Sequence, residues 1–150
     1  MSLRSFLRGV SIGLLSVSGM LVPLTAHAQT AASTYTFATR YDIERRVTGT
    51  IAPDPDGAGV LKHAASRNTY DVNGRLVKVE KGELTAWQSE AVAPASWAGF
   101  SVFQTVDTYY DLAGRRLKET VSASGIVQRL TQYSYDSLDR VVCTDRKSVV

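Results

Sequence analysis

Four Asp–Arg pairs recur along this 150-residue chain at one internal spacing: Asp42 with Arg46, Asp71 with Arg75, Asp111 with Arg115 and Asp136 with Arg140. Repeated carboxylates could act as paired acids, and repeated guanidinium groups could hold anions. Each Asp directly follows a Tyr (Tyr41, Tyr70, Tyr110, Tyr135), and the residue before each Arg is Arg45, Gly74, Gly114 or Asp139. A set that returns in the same local frame is a structural repeat before it is a reaction centre. The four strings are YDIERRV (41–47), YDVNGRL (70–76), YDLAGRR (110–116) and YDSLDRV (135–141).

Local chemistry supports that reading. Asp at the head of a tight turn accepts hydrogen bonds from backbone N–H groups further along. Gly three residues later takes φ > 0 at no steric cost, as the closing position of a type I turn with a bulge requires. Tyr before the turn and Arg after it fall on the two arms of one hairpin, where the guanidinium is expected to lie against the ring. Upstream of the turns the residues alternate as half-buried strands do, with Val106, Thr108 and Tyr110 on one face and Thr131, Tyr133 and Tyr135 on another. The expected fold is therefore all-β, a run of consecutive antiparallel hairpins, with the Asp and Arg residues assigned to structure.

Residues 1–28 read as a secretory signal peptide, expected to be helical. Arg4 and Arg8 begin it, 9–24 is apolar and uncharged, and Ala26-His27-Ala28 offers a small-x-small cleavage site. The expected location is outside the cytoplasm: secreted, periplasmic or cell-surface. The net charge of +3 includes those two Arg residues, and without them 15 basic face 14 acidic residues. No basic stripe with interleaved aromatics appears, which argues against nucleic acid as a partner.

The region 29–144 is expected to carry the hairpins, with the Tyr-to-Tyr intervals of 29, 40 and 25 residues (41→70, 70→110, 110→135) interrupted by a Trp-containing loop at about 82–103. Trp87 and Trp97 in that loop could stack on a cell-surface glycan, or fold down as packing. Asp54-Pro55-Asp56-Gly57 reads as a turn, because the remaining ligands of a helix–loop–helix calcium site are missing. His63 stands without a second His or Cys nearby, so no metal site is expected. No nucleotide, hydrolase or metalloprotease signature occurs after the leader, so no cofactor and no enzyme activity are expected. Cys143 is the single cysteine, which excludes an internal disulfide; it is expected as a small buried residue.

Taken together, the Tyr-Asp-x-x-Gly-Arg strings resemble the YD repeats of the Rhs (rearrangement hot spot) family, whose relatives are the Tc toxin shell subunits and the teneurins. The copies at Tyr70 and Tyr110 match well, that at Tyr135 departs at Asp139, and that at Tyr41 matches least. The resemblance implies a spiral ribbon of hairpins wound into a hollow shell that encloses a C-terminal toxin or serves surface adhesion. It carries no active residue onto this chain, only the hairpin role of the Tyr-Asp…Arg sets. The partners it implies are further YD repeats of the same chain and an encapsulated toxin domain. Residues 145–150 break the repeat spacing and coincide with a translated sequencing adapter. The native part of this sequence is therefore expected to end near Thr144, with the biological protein continuing into more repeats in which Cys143 would find a partner.

Overall fold

Where apolar and polar residues alternate, this chain runs extended; where Asp meets a residue able to adopt positive φ, it reverses. The computed structural model describes residues 36–57 and 59–148, so the expected signal peptide at 1–28 lies outside the described residues. Eight strands follow in chain order: β1 (Ala38–Tyr41), β2 (Val47–Ile51), β3 (His63–Tyr70), β4 (Leu76–Leu84), β5 (Phe100–Tyr110), β6 (Arg116–Ala123), β7 (Ile126–Tyr135) and β8 (Val141–Ser148). They form one antiparallel sheet in which every strand lies beside its sequence neighbours. The sheet is a meander, so every second reversal falls at the same rim. All four Tyr-Asp turns occupy one rim, and the β2–β3, β4–β5 and β6–β7 connections occupy the other.

The turns repeat in atomic detail. Asp71 N–H donates to the Arg75 carbonyl at 2.9 Å and Gly74 N–H donates to the Asp71 carbonyl at 3.0 Å, and the other three copies close in the same way. The pairing register shifts at the Tyr preceding each turn, at Tyr41, Tyr70, Tyr110 and Tyr135, which is the bulge expected of this hairpin class. Gly74 and Gly114 take φ of +77° and +82°, while Arg45 and Asp139 take +62° at the equivalent position. The two copies that lack Gly therefore fold into the same turn at a backbone cost of about 1–2 kcal/mol each. Arg45 is exposed and makes no side-chain bond in the turn. Arg45→Gly should consequently stabilise the protein by about 0.5–1 kcal/mol, part of the relieved strain being offset by unfolded-chain entropy. The midpoint of chemical denaturation reads this directly.

The core is small and lies at one end. Ile51 and Leu84 are fully buried, and Ala38, Ala65 and Trp97 complete the cluster, with Trp87, Val92 and Phe100 packed against it. Residues 85–99 fold back over the sheet, and a short 3-10 turn at Pro94–Ser96 seats the buried Pro94. A Cβ at Gly49 would stand 2.6 Å from the Trp97 ring and 2.7 Å from the Pro94 ring, so this lid rests on bare backbone. The lid is shorter than the expected loop at 82–103. Gly82, Glu83 and Leu84 belong to β4, and β5 already begins at Phe100.

The last strand differs from the rest. Every residue of β8 is exposed, Cys143 included, since only β7 flanks it among the described residues. The expectation of a buried cysteine is therefore corrected. Asp145–Ser148 continue β8 and pair opposite Gln132–Arg129, because ladder hydrogen bonds use the backbone and place little demand on side-chain identity.

Candidate functional site: an arginine–tyrosine ladder and its adjoining cleft

Within each turn the Asp side chain is a hub. Asp71 Oδ1 accepts the N–H groups of Asn73 and Arg75 at 2.9 Å each, and its Oδ2 accepts Arg75 Nε at 2.7 Å. Asp42 and Asp136 repeat the full set, and Asp111 holds Arg115 N and Nε at 2.9 and 2.7 Å. All four carboxyls are held below the usual aspartate range. At Asp71, Asp111 and Asp136 the largest influence is the backbone N–H of the repeat arginine, joined by its side chain. At Asp42 lost hydration pushes upward as the largest single influence and is outweighed by the bonds from Arg46.

These shifts carry a pH prediction. A carboxyl whose folded pKa is depressed contributes stability that is complete above its unfolded value and is lost as pH falls through the folded value. The unfolded reference is near 3.8 for each Asp, and Glu80, also lowered by the Arg67 side chain, starts near 4.5. The denaturation midpoint should hold steady down to about pH 5 and then fall continuously through and below pH 3.8. A midpoint unchanged between pH 5 and pH 2.5 would contradict the hub role.

The arginines act beyond their own hairpins. The guanidinium of Arg46 lies 4.6 Å over the Tyr70 ring, that of Arg75 4.6 Å over Tyr110, and that of Arg115 4.7 Å over Tyr135. Each arginine thus stacks on the tyrosine of the following repeat, which corrects the expectation of a contact within one hairpin. The reason is geometric. Each Arg side chain is tied to the Asp of its own turn, and the next Tyr stands beside it on the neighbouring hairpin. The tyrosine hydroxyls answer in the opposite direction: Tyr70 donates to the Val47 carbonyl at 2.9 Å, Tyr110 to Leu76 at 3.1 Å and Tyr135 to Arg116 at 2.7 Å.

The guanidinium also reaches toward the positive-φ residue of the next turn. Arg46 Nη1 would lie 3.2 Å from a Cβ at Gly74, and Arg75 Nη1 3.5 Å from one at Gly114. At the third junction Asp139 fills that position and accepts a hydrogen bond from Arg115 Nη1. The departure from Gly therefore adds an ion pair between repeats.

Arg140, the last of the series, is 72% exposed against 29–33% for the other three, and no ring lies beneath it among the described residues. Arg75→Ala should cost about 1 kcal/mol or more through lost stacking and pairing. Arg140→Ala should stay within about 0.5 kcal/mol of the wild type. Equal losses of denaturation midpoint in the two variants would show that the ladder contact contributes nothing.

Beside the ladder a cleft of about 1050 Å³ opens between the sheet face and the lid, walled by Arg40, Val77, Glu90, Val92, Pro94 and Tyr109 among others. Most wall charges are matched: Arg46 with Asp42, Arg75 with Asp71, Arg67 with Glu80 at 2.6 Å, and Lys78 with Asp107 at 3.6 Å. Arg40 and the Arg67–Glu80 pair went unnoticed in the sequence. They share a row of the sheet through the pairings Arg40↔Gly49, Gly49↔Arg67 and Arg67↔Glu80, and no local motif marks that row.

Of the two roles open to the tryptophans, their burial favours packing. Trp97 is only 5% exposed in the core, and Trp87 is partly buried, its ring roughly perpendicular to that of His63 with centres 5.7 Å apart, as the packing reading expects. Burial of flat apolar rings beneath the lid is the stronger drive. His63 itself is buried, with Nδ1 3.0 Å from the Ala52 carbonyl. Among the described residues no group of three His, Cys, Asp or Glu side chains gathers as metal ligands, and no helix is long and apolar enough to cross a membrane. Comparison with protein families and with curated proteins finds no match for this chain.

Proposed function

We propose that this chain is a non-catalytic structural segment of an exported YD-repeat protein of the Rhs type. Its hairpins contribute to a β-shell that encloses a C-terminal toxin domain or presents a surface for interaction. One observation carries the reading: three consecutive junctions repeat the same Arg-over-Tyr stack and the same Tyr-to-carbonyl bond, although the repeats differ in length. A linear array in which each unit is completed by its neighbour is the physical form of a repeat scaffold. The Asp and Arg residues that could have served chemistry are engaged in holding turns, which favours a scaffold over a reaction centre.

Long-read sequencing through the 3′ end of the gene, followed by limited proteolysis of the full product, tests the proposal. Further Tyr-Asp-x-x-Gly-Arg strings beyond Thr144 and a protease-resistant C-terminal cargo are expected. A stop codon directly after a genomically encoded Val150 would remove the shell reading.

A further inference from the structure

Arg40 is the one basic side chain on the cleft wall with no carboxylate in ion-pair range among the described residues. It is only 9% exposed, its Nη2 donates to the Gln88 carbonyl on the lid at 2.9 Å, and its Nε has no acceptor. A guanidinium so far out of water is costly unless an opposite charge completes it. Glu90, exposed on the lid side of the same cleft, likewise has no basic partner among the described residues. The remaining wall charges cancel in pairs, so the cleft is neutral overall, with one positive and one negative group uncommitted.

That balance selects the ligand class. A simple anion at Arg40 would leave the cleft, which Glu90 also lines, with a net negative charge. A dipolar ligand satisfies both groups and leaves the wall neutral. Val92, Pro94 and Tyr109 add apolar and aromatic surface to the same cleft. The volume of about 1050 Å³ lies at the upper end of small-ligand clefts, roughly 300–1,000 Å³, and leaves room for side chains.

We propose that the cleft under the lid binds a short zwitterionic peptide, with its carboxylate at Arg40 and its ammonium group toward Glu90. The site goes beyond the scaffold role and does not depend on it.

Titration of the full chain with glycyl-leucine, followed by calorimetry and by tryptophan emission, tests the site. Trp87 adjoins Gln88, so occupancy at Arg40 reaches a fluorophore. Saturable binding is expected. Glycyl-leucine amide, without the carboxylate, and acetyl-glycyl-leucine, without the ammonium group, should each bind roughly tenfold or more weakly. Glu90→Gln should weaken glycyl-leucine but leave acetyl-glycyl-leucine unchanged, and Arg40→Gln should erase the preference for a free carboxylate. A buried arginine serving only to pin the lid would move none of these ligand preferences. Absence of saturable binding, or equal affinity for the free and blocked dipeptides, overturns the proposal. Should Arg40→Gln fail to fold, the blocked ligands and the exposed Glu90→Gln still decide it.

Discussion

Gly82→Val is expected to be the most damaging of the glycine replacements, with a loss of about 3 kcal/mol or more in denaturation free energy. A Cβ at that position would stand 1.9 Å from the Ser101 carbonyl oxygen and 3.0 Å from Val102 Cα. Those are backbone atoms of β5, fixed by the β4–β5 ladder, and the pairing register slips there between Lys81 and Gly82. Relief requires the two strands to separate, not a side chain to swing. Gly74→Val is expected to cost only about 1–2 kcal/mol, from its φ of +77°, because its nearest obstacle is the movable tip of Arg46. Sequence alone suggests the opposite order, since it places Gly82 in a loop and Gly74 in a strained turn. Paired urea denaturation curves decide between the two orders, and a Gly74→Val loss at or above that of Gly82→Val would contradict the close β4–β5 approach.

Leu84→Ala is expected to cost about 2–5 kcal/mol, toward the upper part of that range. Leu84 is fully buried in a core of five buried residues among the described ones, so few neighbours can move in to refill the space. The damage should be local. Hydrogen exchange should accelerate in β1 to β4 and under the lid, and tryptophan emission should shift to the red as Trp97 becomes hydrated. Protection across β7 and β8 should change little, because no core residue comes from those strands. Uniform loss of protection over all eight strands would show instead that the sheet unfolds as a single unit.

Much of the fold was legible because each turn carries its own instructions. Asp, a residue able to take positive φ and an Arg one step later specify a reversal within five positions, and alternation specifies the arms. The structure adds that Arg45 and Asp139 serve where Gly was expected, a case of side-chain bonds holding a backbone that the residue itself does not favour. Long-range features were less legible. The Arg–Tyr stack joins residues 20 to 35 positions apart (46→70, 75→110, 115→135), so no local string predicts which ring each arginine meets. Arg40 was hidden for a related reason: its burial depends on a lid that starts 45 residues later (40→85). The aromatic residues of that lid pointed to burial more than to ligand contact but not to where they pack, and only the bare backbone at Gly49 shows where Trp97 settles.

The two rims of the sheet place unequal demands on the gene. Along the turn rim every junction has the same forward-reaching guanidinium and backward-reaching hydroxyl, so a hairpin inserted or deleted whole would present compatible ends to its new neighbours. Along the opposite rim the connections already vary from two residues at 124–125 to fifteen at 85–99 without altering the junctions. Recombination between copies should therefore be tolerated in whole hairpins and punished in halves. Length changes should accumulate on one side of the ribbon only, leaving the ladder unaltered while the other side diversifies.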